Sequence, residues 1–328
     1  MIKSQNKPIF ITGVPRSGTT WIANILGSAK GVRLLSEPDN EKYSFIGRIW
    51  KKSLHRFPYG NLEGDSEVIT NFYSVIFKGR FPKNRSWINH FLNYVFQYDS
   101  TKNETLVKEK ESELVHSLFP ELAPKLLTLF LYYLTLDGWK SNNRLLIKSV
   151  HSGLCLPVIQ HQFNPKMVLV FRHPGNIISS CLNLRIEDAN RDIFKRPELK
   201  GFLKEYENEI NQLNDPLSFM GLQIGIFYTL WETGLKNQQN LITTSHEDLC
   251  EDTVEKYHSF FNRLNLDWTQ SIQDLILKMN QPGDGFKTYR VAKDLKNKWK
   301  KKLNRDQIIK IQKGYSILPV KHYEEFKI

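Results

Sequence analysis

The stretch "FITGVPRSGTTWIANIL", residues 10–26, decides which fold this chain is expected to have. It begins in a short apolar run, residues 8–12, that is typical of a buried strand, and it continues into a helical pattern over residues 18–29. Between them, Gly13 and Gly18 have the spacing of a phosphate-binding loop. Free backbone N–H groups at the start of such a helix converge on one point, where the helix dipole favours an anion, and glycine lets the anion approach closely. The stretch therefore predicts an anion site between a strand and a helix.

The loop differs from the loops that bind ATP and GTP. Those loops carry a lysine directly after the second glycine, which reaches the β- and γ-phosphates, and a following hydroxyl that holds magnesium. Here Thr19 follows Gly18, and the strong cation is Arg16; Ser17 and Thr20 add hydroxyl donors. No apolar run ending in aspartate supplies a carboxylate for magnesium. We predict a nucleotide with one phosphate in the loop and no required metal; a turn that binds nothing is the alternative.

Composition sets the broad class. The chain has 328 residues, of which 40% are hydrophobic and 24% are charged, as in soluble globular proteins. A formal net charge of +12 favours an anionic partner such as a phosphorylated cofactor, a nucleic acid, a sulfated glycan or a membrane surface. A lysine-rich surface that only keeps the protein soluble is the other interpretation.

The cysteines, the N-terminus and the longest apolar run together favour a reducing compartment. Cys155, Cys181 and Cys250 show no CxxC spacing, so neither a zinc site nor a disulfide framework is expected. The N-terminus lacks the apolar core of a signal peptide, and the longest apolar run, residues 126–136, is too short to span a bilayer. We predict a cytoplasmic protein that does not enter a membrane.

Strand-like and helix-like segments alternate along the chain. Predicted strands occupy residues 8–12, 32–36, 144–149, 167–172 and 240–246, and predicted helices occupy residues 18–29, 153–162, 174–186 and 251–264, the last capped by Asp252 or Thr253. This alternation predicts an α/β fold: an open parallel sheet of about five strands with helices on both faces, similar to P-loop NTPases, in a single domain of residues 1–328. Two helical insertions, residues 40–140 and 186–239, are expected over the C-terminal edge of the sheet, where they would form the acceptor site.

Two motifs together resemble one enzyme family. "PRSGTTW", residues 15–21, resembles the 5′-phosphosulfate loop of sulfotransferases that use 3′-phosphoadenosine 5′-phosphosulfate (PAPS). In that family a Lys or Arg before "SGTT" contacts the 5′-phosphate and the bridging oxygen, and Arg16 matches it. The family binds the 3′-phosphate with an Arg at a strand end and a Ser eight residues later, a spacing that Arg172 and Ser180 have in "MVLVFRHPGNIISSCLNL". The resemblance implies PAPS as co-substrate and 3′-phosphoadenosine 5′-phosphate (PAP) as product. It also implies that residues 16–21, including Trp21, contact the PAPS donor.

Two weaker matches extend the predicted donor site. "WETGLKNQQNLITTSHEDL", residues 231–249, resembles a segment whose aromatic residue packs near adenine; His246 stands where the family often has Tyr. "TYRVAKDLKNKWKKKL", residues 288–303, resembles a basic loop that closes over the 3′-phosphate, with Arg290, Lys293 and Lys296 as candidates. A solvated charge run explains the same three cations equally well.

Sulfuryl transfer needs stabilisation of the leaving phosphate and a base for the acceptor. Arg16 and Lys148, at the end of the third strand, are the candidate cations. Glu37 in "LLSEPDN" is the favoured base; it matches an "xEP" glutamate of bacterial, glycan and tyrosyl-protein sulfotransferases, and it would lie beside the loop if the first two strands were neighbours. His151 in "IKSVHSG" is the second candidate, one residue later than the "KTH" histidine of small-molecule enzymes. A helix-capping glutamate and a structural histidine are the alternatives.

The acceptor is predicted to be a small molecule with a hydroxyl or amine, in preference to a glycan. Two other functions stay open: a P-loop kinase for a small metabolite, against which the missing lysine argues, and a non-catalytic module that binds anions or glycans. Nucleic acid is not an expected partner, because no basic helix with base-reading spacing and no aromatic stacking sheet occurs.

Overall fold

A parallel β-sheet of five strands organises the chain in a computed structural model that describes residues 7–41, 44, 47, 50–51, 54–62, 66–79, 143–186, 193–194, 196–236, 238–281 and 295–324. The strands are β1 (Ile9–Gly13), β2 (Val32–Ser36), β3 (Arg144–Lys148), β4 (Lys166–Phe171) and β5 (Leu241–Ser245). Their order is β2-β3-β1-β4-β5, and each neighbouring pair is parallel. The predicted α/β fold with an open parallel sheet of about five strands is confirmed.

Helices connect the strands and cover the sheet. They are α1 (Thr19–Leu26), α2 (Glu67–Phe77), α3 (Leu156–Phe163), α4 (Pro174–Asn183), α5 (Pro197–Leu203), α6 (Glu207–Asn211), α7 (Pro216–Gly234), α8 (His246–Glu251), α9 (Thr253–Leu264), α10 (Gln270–Met279) and α11 (Arg305–Tyr315), with 3₁₀ helices at Lys204–Tyr206 and Lys298–Lys301. The predicted helix at residues 251–264 begins at Thr253, because the side chain of Asp252 accepts the Glu255 N–H at 3.4 Å, as expected for its cap.

The strands are buried on both faces, which is why they read as unbroken apolar runs. In β1, Ile9 and Ile11 belong to a core shared with α1, α9 and α10, whereas Phe10 belongs to a second core shared with α3, α7 and α11. All three side chains are fully buried. The sheet therefore separates two hydrophobic layers.

The carboxyl ends of the strands meet at one edge, as they must in a parallel sheet. The phosphate-type loop follows β1, Glu37 follows β2, Lys148 ends β3, Arg172 follows β4 and His246 follows β5. The first two strands are not neighbours, because β3 lies between them. Glu37 is thus one strand further from the loop than the expected neighbourhood would place it, and Lys148 stands between the two.

The two predicted insertions are described to different extents. The described part of residues 186–239 is mostly helical and includes α5, α6 and α7. Of residues 40–140, the structure describes stretches up to residue 79, including α2; residues 80–142 lie outside the described residues. Within the described chain, no helix is both long and apolar enough to cross a membrane. A role for these insertions in acceptor binding stays a prediction.

Candidate active site

The loop after β1 has a conformation that depends on glycine. Gly18 caps α1 with φ of 94°, in the left-handed region, and Arg16 also has a positive φ, 73°. A Cβ on Gly18 would lie 2.3 Å from Cδ2 of His246, so the imidazole packs directly against the loop. Ser17 is fully buried, and its N–H donates to the Val14 carbonyl at 2.9 Å. The loop is therefore held by a hydrogen bond within it, from Ser17 to Val14, and by the packing of His246 at the end of β5.

The two predicted phosphate motifs come together in space. Arg16 donates from Nε to Ser180 Oγ at 3.1 Å, and Arg172 donates from Nη1 to the carbonyl of Arg16 at 2.6 Å. These contacts join positions 164 and 156 residues apart in the chain. Burial lowers the pKa of Arg172; the charge of Glu247 opposes this effect, and the charge of Arg16 adds to it. The guanidinium groups of Arg16 and Arg172 are therefore close together, and an anion with more than one negative charge would stabilise them.

Buried donors at this point match an anionic ligand. Among the described residues, Ser17 Oγ and Arg172 Nε are buried side-chain atoms without a hydrogen-bond partner. Such atoms are costly to bury unless something accepts from them. Phosphate oxygens accept hydrogen bonds from both groups, so the residues present fit a phosphorylated nucleotide. Thr20 is exposed beside them, whereas Thr19 is buried.

The end of β4, which presents Arg172, is held by two groups that sequence reasoning missed. The hydroxyl of Tyr228 accepts the Arg172 N–H at 2.8 Å and donates to the Arg172 carbonyl at 2.6 Å. Glu247 accepts the His173 N–H at 3.2 Å and the side-chain amide of Asn176 at 2.9 Å. Tyr228 lies in an apolar run, so its sequence pattern is that of a core residue. The available signal was its hydroxyl, which must find a hydrogen-bond partner when it is buried.

Glu37 and Lys148 form an ion pair at the opposite side of β1. The Lys148 ammonium donates to Glu37 Oε1, and the side chains are 5% and 12% exposed, respectively. The Glu37 N–H donates to the Lys148 carbonyl at 2.7 Å, and the Val150 N–H donates to Glu37 Oε2 at 3.3 Å. Glu37 has a φ of 51°, in the left-handed region. The favoured base and the second cation are therefore direct neighbours, which the strand order alone did not guarantee.

His151 lies in a different environment. It is 1% exposed, its Nδ1 lies 3.3 Å from Oε2 of Glu41, and its ring meets the edge of Phe57 at a centroid distance of 5.4 Å. Burial raises the pKa of Glu41, but the contact with His151 and the charges of His151 and Lys51 outweigh it and lower the pKa to about 2. His151 thus has a partly buried carboxylate partner, whereas Glu37 is the more exposed of the two base candidates.

The remaining predicted donor residues are placed as follows. His246 is 3% exposed, with its ring 5.9 Å from that of Trp21, and burial lowers its pKa well below the usual value. Lys296 pairs through its ammonium with the exposed Glu251. Its described side-chain contacts do not reach Arg172 or Ser180, so its role at the 3′-phosphate stays a prediction. Arg290 and Lys293 lie outside the described residues.

The partly buried His173 is expected to make the stability of the fold depend on pH. Its Nδ1 accepts the Gly175 N–H at 3.1 Å at the start of α4, and its ring stacks on Trp299 at 4.4 Å. Burial, then the charges of Lys300 and Arg172, lower its pKa to about 4. Because the unfolded chain binds this proton more tightly, we expect stability to fall as pH drops from about 6.5 to about 4, by up to about 3 kcal/mol from this group.

Urea unfolding across that pH range measures the effect. His173→Asn keeps an acceptor for the Gly175 N–H and removes the titrating ring, so it should flatten part of the slope; His246, with its lowered pKa, supplies another part. An unchanged slope in His173→Asn would contradict this assignment. No group of three or more His, Cys, Asp or Glu side chains in the described chain could hold a metal ion.

Comparison with known proteins places these residues in context. A model of the sulfotransferase family matches residues 8–270. No curated protein sequence matches the chain. Similar solved structures include the sulfotransferase domain from the curacin biosynthetic pathway, 15% identical with a TM-score of 0.47 over 93% of this chain and 96% of that one. The sulfotransferase domain from the Synechococcus PCC 7002 olefin synthase is 14% identical with a TM-score of 0.41, over 95% and 96% of the two chains. Sulfotransferase STF9 from Mycobacterium avium is 12% identical with a TM-score of 0.39, over 86% and 70%. The family match spans the loop, Glu37, Lys148 and the Arg172–Ser180 motif.

Proposed function

Because the chain belongs to the sulfotransferase family, we propose that it transfers a sulfuryl group from PAPS to a hydroxyl or amine of a small molecule and releases PAP. The observation that carries the choice of donor is the convergence of Arg16, Arg172 and Ser180. A nucleotide with phosphates at both its 3′ and 5′ positions supplies the separate anions that this arrangement needs. The protein is proposed to act in the cytoplasm.

The two phosphates would occupy different parts of this site. The 5′-phosphosulfate would lie at the start of α1, where residues 16–20 offer N–H groups and hydroxyls. The 3′-phosphate would accept from Arg172 and Ser180, because a guanidinium offers planar paired donors. Arg16 contacts Ser180 without a ligand. Because Arg16 belongs to the loop and also reaches Ser180, its guanidinium would be able to serve either phosphate.

The Glu37–Lys148 pair supplies the groups for the transfer itself. The acceptor oxygen or nitrogen forms a bond to sulfur while the bond from sulfur to the 5′-phosphate oxygen breaks. The acceptor's proton passes to the Glu37 carboxylate, and charge develops on the leaving phosphate. Once Glu37 is neutral, Lys148 is no longer held by its charge, so the ammonium and Arg16 can stabilise that phosphate.

A small-molecule acceptor is proposed because the chain between β2 and β3 is rich in aromatic residues. Trp50 and Phe72 from this region stack at a centroid distance of 5.6 Å, so its described part builds apolar structure. Apolar walls with few polar groups are typical of small-molecule sites. An acidic glycan is the alternative, favoured by the basic surface.

Two measurements test the proposed function. The purified chain should bind PAP at micromolar concentration in calorimetry, and it should transfer ³⁵S-sulfate from PAPS to a mixture of phenols, alcohols and amines. We expect the transfer to persist in EDTA. Absence of PAP binding would contradict the proposal, and ATP hydrolysis that requires magnesium would favour the kinase alternative.

Arg172→Ala should separate the two phosphate positions. Loss of a charged donor at the 3′-phosphate is expected to weaken PAP by about 10- to 100-fold. Adenosine 5′-phosphosulfate, which lacks that phosphate, should be weakened much less. Lys278→Ala removes an exposed cation of α10 and controls for net charge. Equal weakening of both nucleotides by Arg172→Ala would refute the 3′-phosphate assignment.

A further inference from the structure

A buried carboxylate that the proposed reaction does not use lies close to the Glu37–Lys148 pair in the chain. Asp39 is 0% exposed, and its Oδ2 accepts the hydroxyl of Tyr73 at 2.8 Å and that of Ser149 at 2.6 Å. Its other oxygen is buried without a hydrogen-bond partner among the described residues. A charged group is buried in this way only at a substantial cost in desolvation, so its partners need an explanation.

The Asp39–Ser149 hydrogen bond joins the segments that carry the reacting pair. Asp39 is two residues after Glu37, and Ser149 directly follows Lys148. Ser149 is itself anchored, because its N–H donates to the Ile11 carbonyl at 3.0 Å in β1. Its hydroxyl oxygen also accepts the N–H groups of His151 and Ser152, each at 3.2 Å. The bond therefore ties the turn after β2 to the turn after β3.

The turn at Glu37 needs such a restraint. A residue with a Cβ in the left-handed region costs about 1–2 kcal/mol and persists only where its surroundings enforce it. The Glu37 N–H donates to Lys148, and the Glu37 carbonyl accepts the Asn40 N–H at 3.2 Å. Asp39 adds a further restraint on this turn through its own side chain, which Tyr73 holds from α2.

A buried cation balances this carboxylate. Lys51 is 8% exposed, and its ammonium donates to the Arg56 carbonyl. Burial lowers the pKa of Lys51, while the charges of Asp39 and Glu41 oppose that effect. Asp39 and Lys51 thus carry opposite charges that stabilise each other.

We propose that Asp39 is a positioning residue that holds Glu37 and Lys148 in place through its hydrogen bonds to Ser149 and Tyr73. The inference rests on the proposed sulfuryl transfer, in which Glu37 takes the acceptor's proton and Lys148 stabilises the leaving phosphate. Neither Asp39 nor Ser149 touches the substrate in this role. Their effect is on the rate of the reaction and not on donor affinity.

Ser149→Ala and Tyr73→Phe test this role by removing one hydrogen bond each. We expect PAP release from PAPS, measured with the acceptor mixture above, to fall by about 10-fold or more, because small misplacements of reacting groups have large effects on rate. The affinity and stoichiometry of PAP binding should stay within about twofold of the parent values. A loss caused only by unfolding would instead reduce the number of PAP sites.

Ser218→Ala is the matched control. Ser218 is also 0% exposed, and its hydroxyl donates to Asp215 at the start of α7. Its loss should lower stability comparably and leave turnover per bound PAP unchanged. Turnover that falls equally in Ser218→Ala would overturn the proposal, as would full turnover in both Ser149→Ala and Tyr73→Phe.

A crystal structure of Ser149→Ala, or of Tyr73→Phe if the first does not fold, gives a readout independent of activity. We expect Glu37 to leave its left-handed conformation or to lose contact with Lys148. If both features are retained, Asp39 does not position the pair. A parent protein that neither binds PAP nor transfers sulfate would contradict the proposed function, whereas an active parent with an unchanged Glu37–Lys148 pair in the variant contradicts this inference alone.

Discussion

Replacing Glu37 with glutamine should lower turnover by about 10²- to 10⁴-fold, the range typical for loss of a general base. Glutamine keeps the size of the side chain and an oxygen that can accept the Val150 N–H, but it cannot take the acceptor's proton. PAP affinity should not fall, because Glu37 is paired with Lys148 and not with the Arg16–Arg172–Ser180 site. The neutral glutamine leaves the Lys148 ammonium free for the 5′-phosphate, which can only raise that affinity. Single-turnover transfer and PAP calorimetry on the same preparation measure both quantities.

Glu41→Gln is the control for this substitution. Glu41 lies four residues further along the chain, and its carboxylate faces His151 instead of Lys148. If Glu37 is the base, Glu41→Gln should keep most of the turnover. If Glu37→Gln stays active and Glu41→Gln does not, the base is His151, because the Glu41 carboxylate would then orient and stabilise the charged ring.

Gly18→Ala should abolish measurable PAP binding and destabilise the fold by about 2–5 kcal/mol. Alanine at a φ of 94° carries the left-handed strain of about 1–2 kcal/mol, and its Cβ would lie 2.3 Å from the His246 ring, which adds an overpacking cost of about 1–3 kcal/mol. The loop relieves this clash only by moving, which displaces the N–H groups that face the anion. Urea unfolding and PAP calorimetry are the measurements.

Gly31→Ala separates the strain from the clash. Gly31 has a φ of 72°, and a Cβ there would meet nothing within 4 Å. Gly31→Ala should lower the free energy of unfolding by about 1–2 kcal/mol and leave PAP binding intact. Adding His246→Ala to Gly18→Ala should recover part of the lost stability, since it removes the ring. Equal stability losses in Gly18→Ala and Gly31→Ala would show that His246 does not support the loop.

Much of the sheet was predictable because its signals are local. The run at residues 32–36 matches β2 residue for residue, and the predicted start of α4 at Pro174 is also correct. A strand buried on both faces must be apolar along its length, and proline fits the first turn of a helix. The loop spacing after β1 and the Arg172–Ser180 spacing after β4 are local in the same sense, and the structure joins the two motifs.

The order of the strands was not predictable from local pattern. The placement of β3 between β1 and β2 depends on a long connection, residues 37–143, whose length says nothing about where it returns. That order is the reason that Lys148 lies between Glu37 and the loop. The difference between Glu37 and His151 likewise depends on burial, which distant residues such as Phe57 and Glu41 impose.

The sequence by itself determined the fold class, and it predicted the class of ligand, because the phosphate-type loop, its missing lysine and the arginine after β4 each act through chemistry contained in a few consecutive residues. Only the tertiary structure decided which side chains support that chemistry. Tyr228 clamps the end of β4, His246 packs on Gly18, and Asp39 joins two turns through Ser149. Each of these contacts joins residues that are far apart in the chain, and each is stabilised by burial, which exists only once the sheet and its helices have come together.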